Sequence, residues 1–167
     1  MNAKIEKFAA TWAYESDGTQ KCFDRLTDAS LGQSVDADGR TIARLAWHIT
    51  QTIPEMMKGT GLQVAGPSEH EPPPAHAAEI AAAYRAAAEA LIREIRANWT
   101  DATLAVTDNM YGEPWTRSQT LQALVAHQIH HRGQLTVLMR QAGLSVPGIY
   151  GPAREEWAGM GMEPPAI

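Results

Sequence analysis

Cysteine is nearly absent from the chain: Cys22 is the one cysteine in 167 residues. No internal disulfide can form, which excludes the disulfide-stapled secreted class. The N-terminal stretch MNAKIEKFAATWAYESDGTQ lacks a basic head followed by an apolar core, so no secretory signal is recognised. No apolar run approaches the roughly 20 residues that cross a bilayer. These absences predict a cytoplasmic location.

Positive charge is also scarce, with Lys+Arg 14 against Asp+Glu 19 and a net charge of -5. This sign disfavours nucleic acids and anionic membranes as partners. Glycine-rich phosphate loops, serine-centred elbows and paired catalytic carboxylates are missing, and Cys22 has no sequence neighbour that would activate it as a nucleophile. The remaining partners are a small molecule, a metal ion or a second copy of the chain.

Apolar residues make up 44% of the sequence, enough for one domain, 1–167, with one core. They recur every three or four positions over residues 3–29, 40–58, 75–99 and 117–142, which predicts four helices and an all-α fold. The Ser16–Thr19 patch marks a possible kink or break in the first helix. No alternating run demands a sheet, although LAVTDNMYGEPWT has room for a short extended piece. The long connector GTGLQVAGPSEHEPPP allows helices two and three to be joined by a crossover.

Three histidines lie close together in the fourth helix, in the stretch HQIHHRGQL. Projected at about 100° per residue, His131 falls inside the apolar sector, His127 at its edge and His130 nearly opposite. The i, i+4 spacing of His127 and His131 places both imidazoles on one helix face, within reach of one metal ion. His48, in LAWHITQTIPEMM, lies at the border of the apolar face of helix two and is the natural third ligand. Three neutral imidazoles suit Zn, Ni, Fe or Cu and leave a position open for water or substrate.

Other side chains have ordinary structural explanations beside functional ones. A histidine at the border of a core is often a hydrogen-bonded packing residue, and His70 and His76, in or beside a proline-rich loop, are predicted at the surface. Gln134 is a candidate for orienting a ligand imidazole, and Arg132 for pairing with a carboxylate or a substrate anion. Solvation on the helix surface is the alternative for both. The aromatic residues that could line a pocket over the metal are Trp115, Tyr111 and Tyr150, and packing at the helix ends is the alternative for all three.

The segments LAWHIT, AHQIHHRGQLTVLMRQAG and VPGIYGP together resemble the DinB/YfiT-like family of four-helix metalloenzymes. The resemblance spans nearly the whole chain. It implies a four-helix bundle with up-down-down-up connectivity, a metal held by histidines matching His48, His127 and His131, and a homodimer. The wider superfamily includes thiol transferases and isomerases that use low-molecular-weight thiols such as bacillithiol or mycothiol.

The leading hypothesis is therefore a metal-dependent transferase that presents a low-molecular-weight thiol to a small electrophile. Zn and Ni are the first candidates for the ion, followed by Fe and Cu. A hydrolase that activates water at the same open position is the alternative enzyme. A non-catalytic metal-binding stress-response protein is the third hypothesis, and it predicts an enclosed site with a fourth protein ligand.

Overall fold

The structure, a computed structural model, describes residues 2–166. The chain is mostly helical, with one small two-stranded sheet. Its four long helices are α1 (Ala3–Phe23), α2 (Ile42–Gly59), α3 (Ala77–Asn98) and α4 (Arg117–Gln141). None of the helices in the described range is long and apolar enough to cross a membrane.

The first helix differs from its prediction at two points. It ends at Phe23 rather than near residue 29, and a short 3-10 turn follows at residues 28–30. It also continues through Gly18 without a break. A Cβ atom at Gly18 would lie 3.0 Å from Ile149 Cγ2 and 3.2 Å from Arg132 Nη1. This glycine therefore allows close packing of other segments onto α1, and the possible kink is not observed.

Two of the helices begin with a capping residue of their own. The Thr41 hydroxyl accepts the backbone N–H of Arg44 at 3.2 Å at the start of α2. Thr116 does the same for Gln119 at the start of α4, and the Gln119 side chain accepts the Thr116 N–H in return. These caps fix the first turns of the two helices that carry the predicted histidine ligands.

The other two helices are capped by carboxylates from distant loops. Asp101 accepts the backbone N–H groups of Lys4 and Ile5 at 3.0–3.1 Å, at the first turn of α1. Asp28 accepts the N–H of Ala77 at 2.8 Å, at the first turn of α3. Each carboxylate satisfies N–H groups that have no partner within their helix.

Both α1 and α2 pack against α3 and α4. Large side chains from all four helices meet in one core, where each is at most 1% exposed: Trp12, Phe23, Ile49, Tyr84, Leu91 and Leu124. Because α2 and α4 are direct neighbours, side chains on their facing surfaces can meet.

The all-α prediction is wrong at one place, between α3 and α4. Here β1 (Thr107–Met110) pairs antiparallel with β2 (Glu113–Thr116). The turn residues Tyr111 and Gly112 both have positive φ, 56° and 87°, as a two-residue type I′ hairpin requires. Strands of four residues are too short to show a clear alternation, and tyrosine is unusual in this turn, so the sequence indicated only a short extended piece.

Candidate metal centre

The structure brings His48 of α2 together with His127 and His131 of α4. One ring nitrogen from each lies within 4.8 Å of the others. The Nε2 atoms of His48 and His127 are 3.0 Å apart, and the three ring centroids are separated by 4.4–4.8 Å. The i, i+4 spacing on α4 places two rings on one face, and α2 supplies the third.

The remaining histidines lie outside this cluster. His130 is exposed, with its Nε2 atom 3.2 Å from the Gln134 side-chain nitrogen. The His70 side chain is 89% exposed, and His76 is an exposed partner of Asp28. Their placement agrees with the helical projection and with the loop assignment made from the sequence.

Burial keeps the three clustered imidazoles neutral. Loss of solvation lowers the pKa of His48 to about 4, and the positive charges of Arg40 and Arg44 act in the same direction. Loss of solvation, with the neighbouring imidazoles, lowers the pKa of His127 to about 4. The pKa of His131 is lowered by burial as well. Neutral rings at pH 7 keep a lone pair available for a metal ion.

Gln134 positions the most buried of the three rings. Its Oε1 atom lies 2.7 Å from Nδ1 of His131, which is 9% exposed. In this arrangement Nδ1–H donates to the amide oxygen, so the proton is on Nδ1 and the Nε2 lone pair is free. The Gln134 amide nitrogen faces Nε2 of His130, where it can donate. This matches the predicted alternative in which Gln134 orients a ligand imidazole.

The three rings fit a divalent metal ion. Metal–nitrogen bonds of about 2.0–2.1 Å at tetrahedral angles place ligand nitrogens about 3.3 Å apart. The nitrogens of His48 and His127, at 3.0 Å, are close to this separation, and all three fall within a span of 4.8 Å. No further His, Cys, Asp or Glu of residues 2–166 joins the group. Three ligands without a fourth are typical of sites that keep a position open.

A cavity of about 560 Å³ opens beside the imidazoles, with His48 and His127 in its wall. Tyr111 and Trp115, from the hairpin, also line it, as predicted, and their ring centroids are 5.7 Å apart. A cavity of about 610 Å³ between α1 and α4 has no histidine in its wall. The smaller cavity is therefore the one that gives a ligand access to the histidine cluster.

Three charged residues of the cavity wall were not predicted: Arg44, Glu55 and Glu69. Arg44 and Glu55 carry a signal in the sequence, because they stand four residues before and seven after His48, on the same face of α2. Glu69 has no such signal in the sequence, because its position at the cavity depends on how the loop after α2 folds back.

Tyr150 and Arg132 do not line this cavity, so of the two interpretations of Tyr150, packing rather than a pocket role is the one observed. Arg132 is 3% exposed, and its Nη2 atom is 2.6 Å from a carboxylate oxygen of Glu15 in α1. The Tyr150 hydroxyl is 2.6 Å from the same guanidinium and 2.8 Å from the same carboxylate. Of the two predicted roles of Arg132, pairing with a carboxylate is the one observed. The pair holds the C-terminal segment against α1 and α4.

Cys22 is fully buried, and burial raises the pKa of its thiol to about 11. A thiol in this state is protonated at neutral pH and is a poor nucleophile. This environment agrees with the sequence, in which no neighbour activates Cys22 as a nucleophile.

Residues 1–165 match the DinB family. The chain belongs to this family. This DinB chain is 44% identical to the uncharacterized protein YrdA of Bacillus subtilis (strain 168), over the full length of both proteins. It is also similar to the crystal structure of a DinB-like protein from Bacillus cereus ATCC 10987, with 45% identity and a TM-score of 0.85. That match covers 87% of this DinB chain and 97% of the other.

Proposed function

We propose that this chain is a metal-dependent enzyme that joins a low-molecular-weight thiol to a small electrophile. The proposed metal ligands are His48, His127 and His131. The observation that carries the proposal is the arrangement of three neutral imidazoles beside an accessible cavity, with no fourth His, Cys, Asp or Glu of residues 2–166 in the group. Zn and Ni are the first candidates, and Fe and Cu follow, because imidazole accepts all four.

When bound, a divalent cation supplies a Lewis acid that lowers the pKa of a thiol or of water. The residues of the chain position the three imidazole rings. Gln134 holds His131 with its Nε2 lone pair free, and the packing of α2 against α4 sets the distance from His48 to the other two rings. Tyr111 and Trp115 form an aromatic part of the cavity wall.

Metal content tests the proposed ligands directly. We expect about one divalent ion per chain in the purified protein, and loss of that ion in His48→Ala, His127→Ala and His131→Ala. His130→Ala is the matched control, since its ring is on the same helix but outside the cluster, and it should keep the metal. Retention of the ion in all three ligand variants would refute the site.

Activity assays separate the candidate reactions. The metal-loaded protein is incubated with a panel of small electrophiles, with and without several cellular thiols, and conjugates are detected by mass spectrometry. Conjugation that requires both metal and thiol supports the transferase. Turnover without any thiol would instead support the hydrolase. No turnover, together with a large loss of melting temperature on chelation, would support a purely structural metal.

The arrangement of helices and the assembly also belong to this proposal. We infer an up-down-down-up bundle over a single domain, because the 17-residue connector between α2 and α3, residues 60–76, is long enough for a crossover. A homodimer is the proposed assembly, as the family resemblance implies. Light scattering coupled to gel filtration measures the mass, and a monomer at micromolar concentration would contradict it.

A further inference from the structure

The cavity beside the histidines carries opposite charges at its two ends. Along one face of α2, Arg44 precedes His48 by four residues, and Glu55 follows it by seven. At 1.5 Å per residue, Arg44 lies about 6 Å to one side of His48 along the helix axis, and Glu55 about 10 Å to the other. A ligand next to the imidazoles thus meets a cation in one direction and a carboxylate in the other.

The guanidinium of Arg44 has no partner in the described part of the chain. No carboxylate oxygen lies within 4.0 Å of it, whereas Arg117 and Arg132, for example, are each paired with an aspartate or a glutamate. The Arg44 side chain makes no hydrogen bond to residues 2–166, and the contact of this residue with the Thr41 cap is made by its backbone N–H. An unpaired guanidinium presents several N–H donors in a plane, which suits a carboxylate.

The opposite end of the cavity, which we call the acidic end, is formed by Glu55, Glu69, Tyr111 and Trp115. Neither glutamate is paired with a lysine or arginine among residues 2–166. Glu55 accepts the Tyr111 hydroxyl at 2.9 and 3.1 Å, and the carboxylate of Glu69 has only a distant contact, 3.6 Å, with exposed His70. The two aromatic rings at this end add electron-rich faces, which attract cations.

The acidic end is held in place by the rest of the structure. The Gln51 side chain, which is 5% exposed, donates hydrogen bonds to the backbone carbonyls of Ser68 and Glu71. The Trp47 indole donates to the same Glu71 carbonyl at 2.9 Å. These bonds fix the loop that carries Glu69. The hairpin brings Tyr111 to the same place with a backbone conformation, φ 56°, that tyrosine rarely adopts.

We propose that this cavity binds a zwitterionic small molecule. Its carboxylate binds Arg44, its ammonium group binds the acidic end, and its reacting atom faces His48 between them. The inference rests on the proposed function for the identity of that reacting atom, which is the sulfur of a thiol. The charge recognition itself depends only on Arg44 and the acidic end, so it can be tested without any thiol or any turnover.

The probe is the tripeptide Ala-Ala-Ser with free termini, which carries a hydroxyl where a thiol would react. Its carboxylate is on the serine, which also carries the hydroxyl. Its ammonium group is two residues before the serine, a separation of about 7 Å along the fully extended chain. The two matched probes are the same peptide with an amidated C-terminus and with an acetylated N-terminus. Binding to the protein as purified is measured by titration calorimetry.

We expect the free tripeptide to bind about tenfold or more tightly than either capped form, because each cap removes one charge-assisted interaction. Arg44→Gln should abolish the preference for the free C-terminus and keep the preference for the free N-terminus. Glu55→Gln should do the reverse. Arg154→Gln, at an exposed arginine of the C-terminal segment, is the control and should keep both preferences.

Equal binding of the three peptides would overturn the inference, as would a loss of both preferences in Arg154→Gln. A uniform loss of affinity in Arg44→Gln, without a change in preference, would overturn the role of Arg44. Circular dichroism and melting curves show that each variant is folded. Because the probe has no thiol, failure here leaves the metal-dependent conjugation to its own assay. Conversely, charge preference without any conjugation would refute only the proposed reaction.

Discussion

Replacing Gln134 with alanine should weaken metal binding without removing any metal ligand. Its amide oxygen lies 2.7 Å from Nδ1 of His131 and is the one side-chain partner of that ring nitrogen in the described chain. Without this acceptor, the proton is free to move to Nε2, and the ring is free to rotate. Loss of such an outer partner typically costs 10- to 100-fold in metal affinity, which corresponds to about 1.4–2.7 kcal/mol.

The assay is competition for Zn²⁺ against a chromophoric chelator, at fixed pH. Gln122→Ala is the matched control, because Gln122 is an exposed glutamine of the same helix outside the histidine cluster. Gln134→Glu should retain the affinity, since a carboxylate also accepts the Nδ1–H. Nitrogen-15 NMR of the metal-free protein gives an independent readout, with the His131 proton expected on Nδ1. An affinity of Gln134→Ala within twofold of the wild type, or a proton found on Nε2, would refute the reasoning.

Three further predictions concern stability. Arg132→Met should lower the free energy of unfolding by about 3–5 kcal/mol, because it leaves the buried Glu15 carboxylate without its cationic partner and with only the Tyr150 hydroxyl as a donor. Adding Glu15→Gln should recover most of this loss in urea denaturation, and a loss under about 1 kcal/mol would contradict the buried pair. Tyr111→Asn should keep the free energy of unfolding or raise it by up to about 1 kcal/mol, since asparagine tolerates positive φ better, and a lower melting temperature would count against backbone strain. In the metal-free protein, the part of the stability that depends on neutral His48 and His127 should be complete above pH 6.5 and be lost from there to about pH 4. The pKa values of His48 and His127 are near 4 in the folded protein, so the unfolded chain, with a histidine pKa of 6.5, binds protons first as the pH falls. A flat profile measured by thermal melting, or one that His48→Ala leaves unchanged, would contradict this.

The histidine cluster could be predicted because its signal is periodic. His127 and His131 share a helix face at i, i+4, and their place relative to the apolar stripe of α4 separates them from His130. His48 at the border of the apolar face of α2 could be named from its own helix, but its meeting with the other two depends on α2 being a neighbour of α4. That pairing of helices was assumed from the general rule that facing helices supply ligands to the interior of a bundle, and the periodicity of the sequence does not show it.

The rest of the site depends on contacts between residues far apart in the chain. Glu69 reaches the cavity because Gln51 and Trp47 hold its loop by hydrogen bonds to backbone carbonyls. No local sequence pattern predicts those hydrogen bonds. Tyr150 also depends on such contacts: the sequence left a pocket role and a packing role open, and its hydroxyl binds the buried pair of Arg132 and Glu15. The hairpin was not predicted firmly, because strands of four residues are too short to show a clear alternation of apolar and polar residues.

The capping of α1 and α3 by Asp101 and Asp28 has a consequence for how the chain opens. Each carboxylate is far along the sequence from the helix that it caps, by 97 and 49 residues. The first turn of either helix therefore loses its capping hydrogen bonds when the distant loop departs, and the loop loses the same bonds when the turn frays. Helix ends that are usually independent are thereby coupled to loops elsewhere in the chain, so each of these helix ends and its loop opens as one cooperative unit.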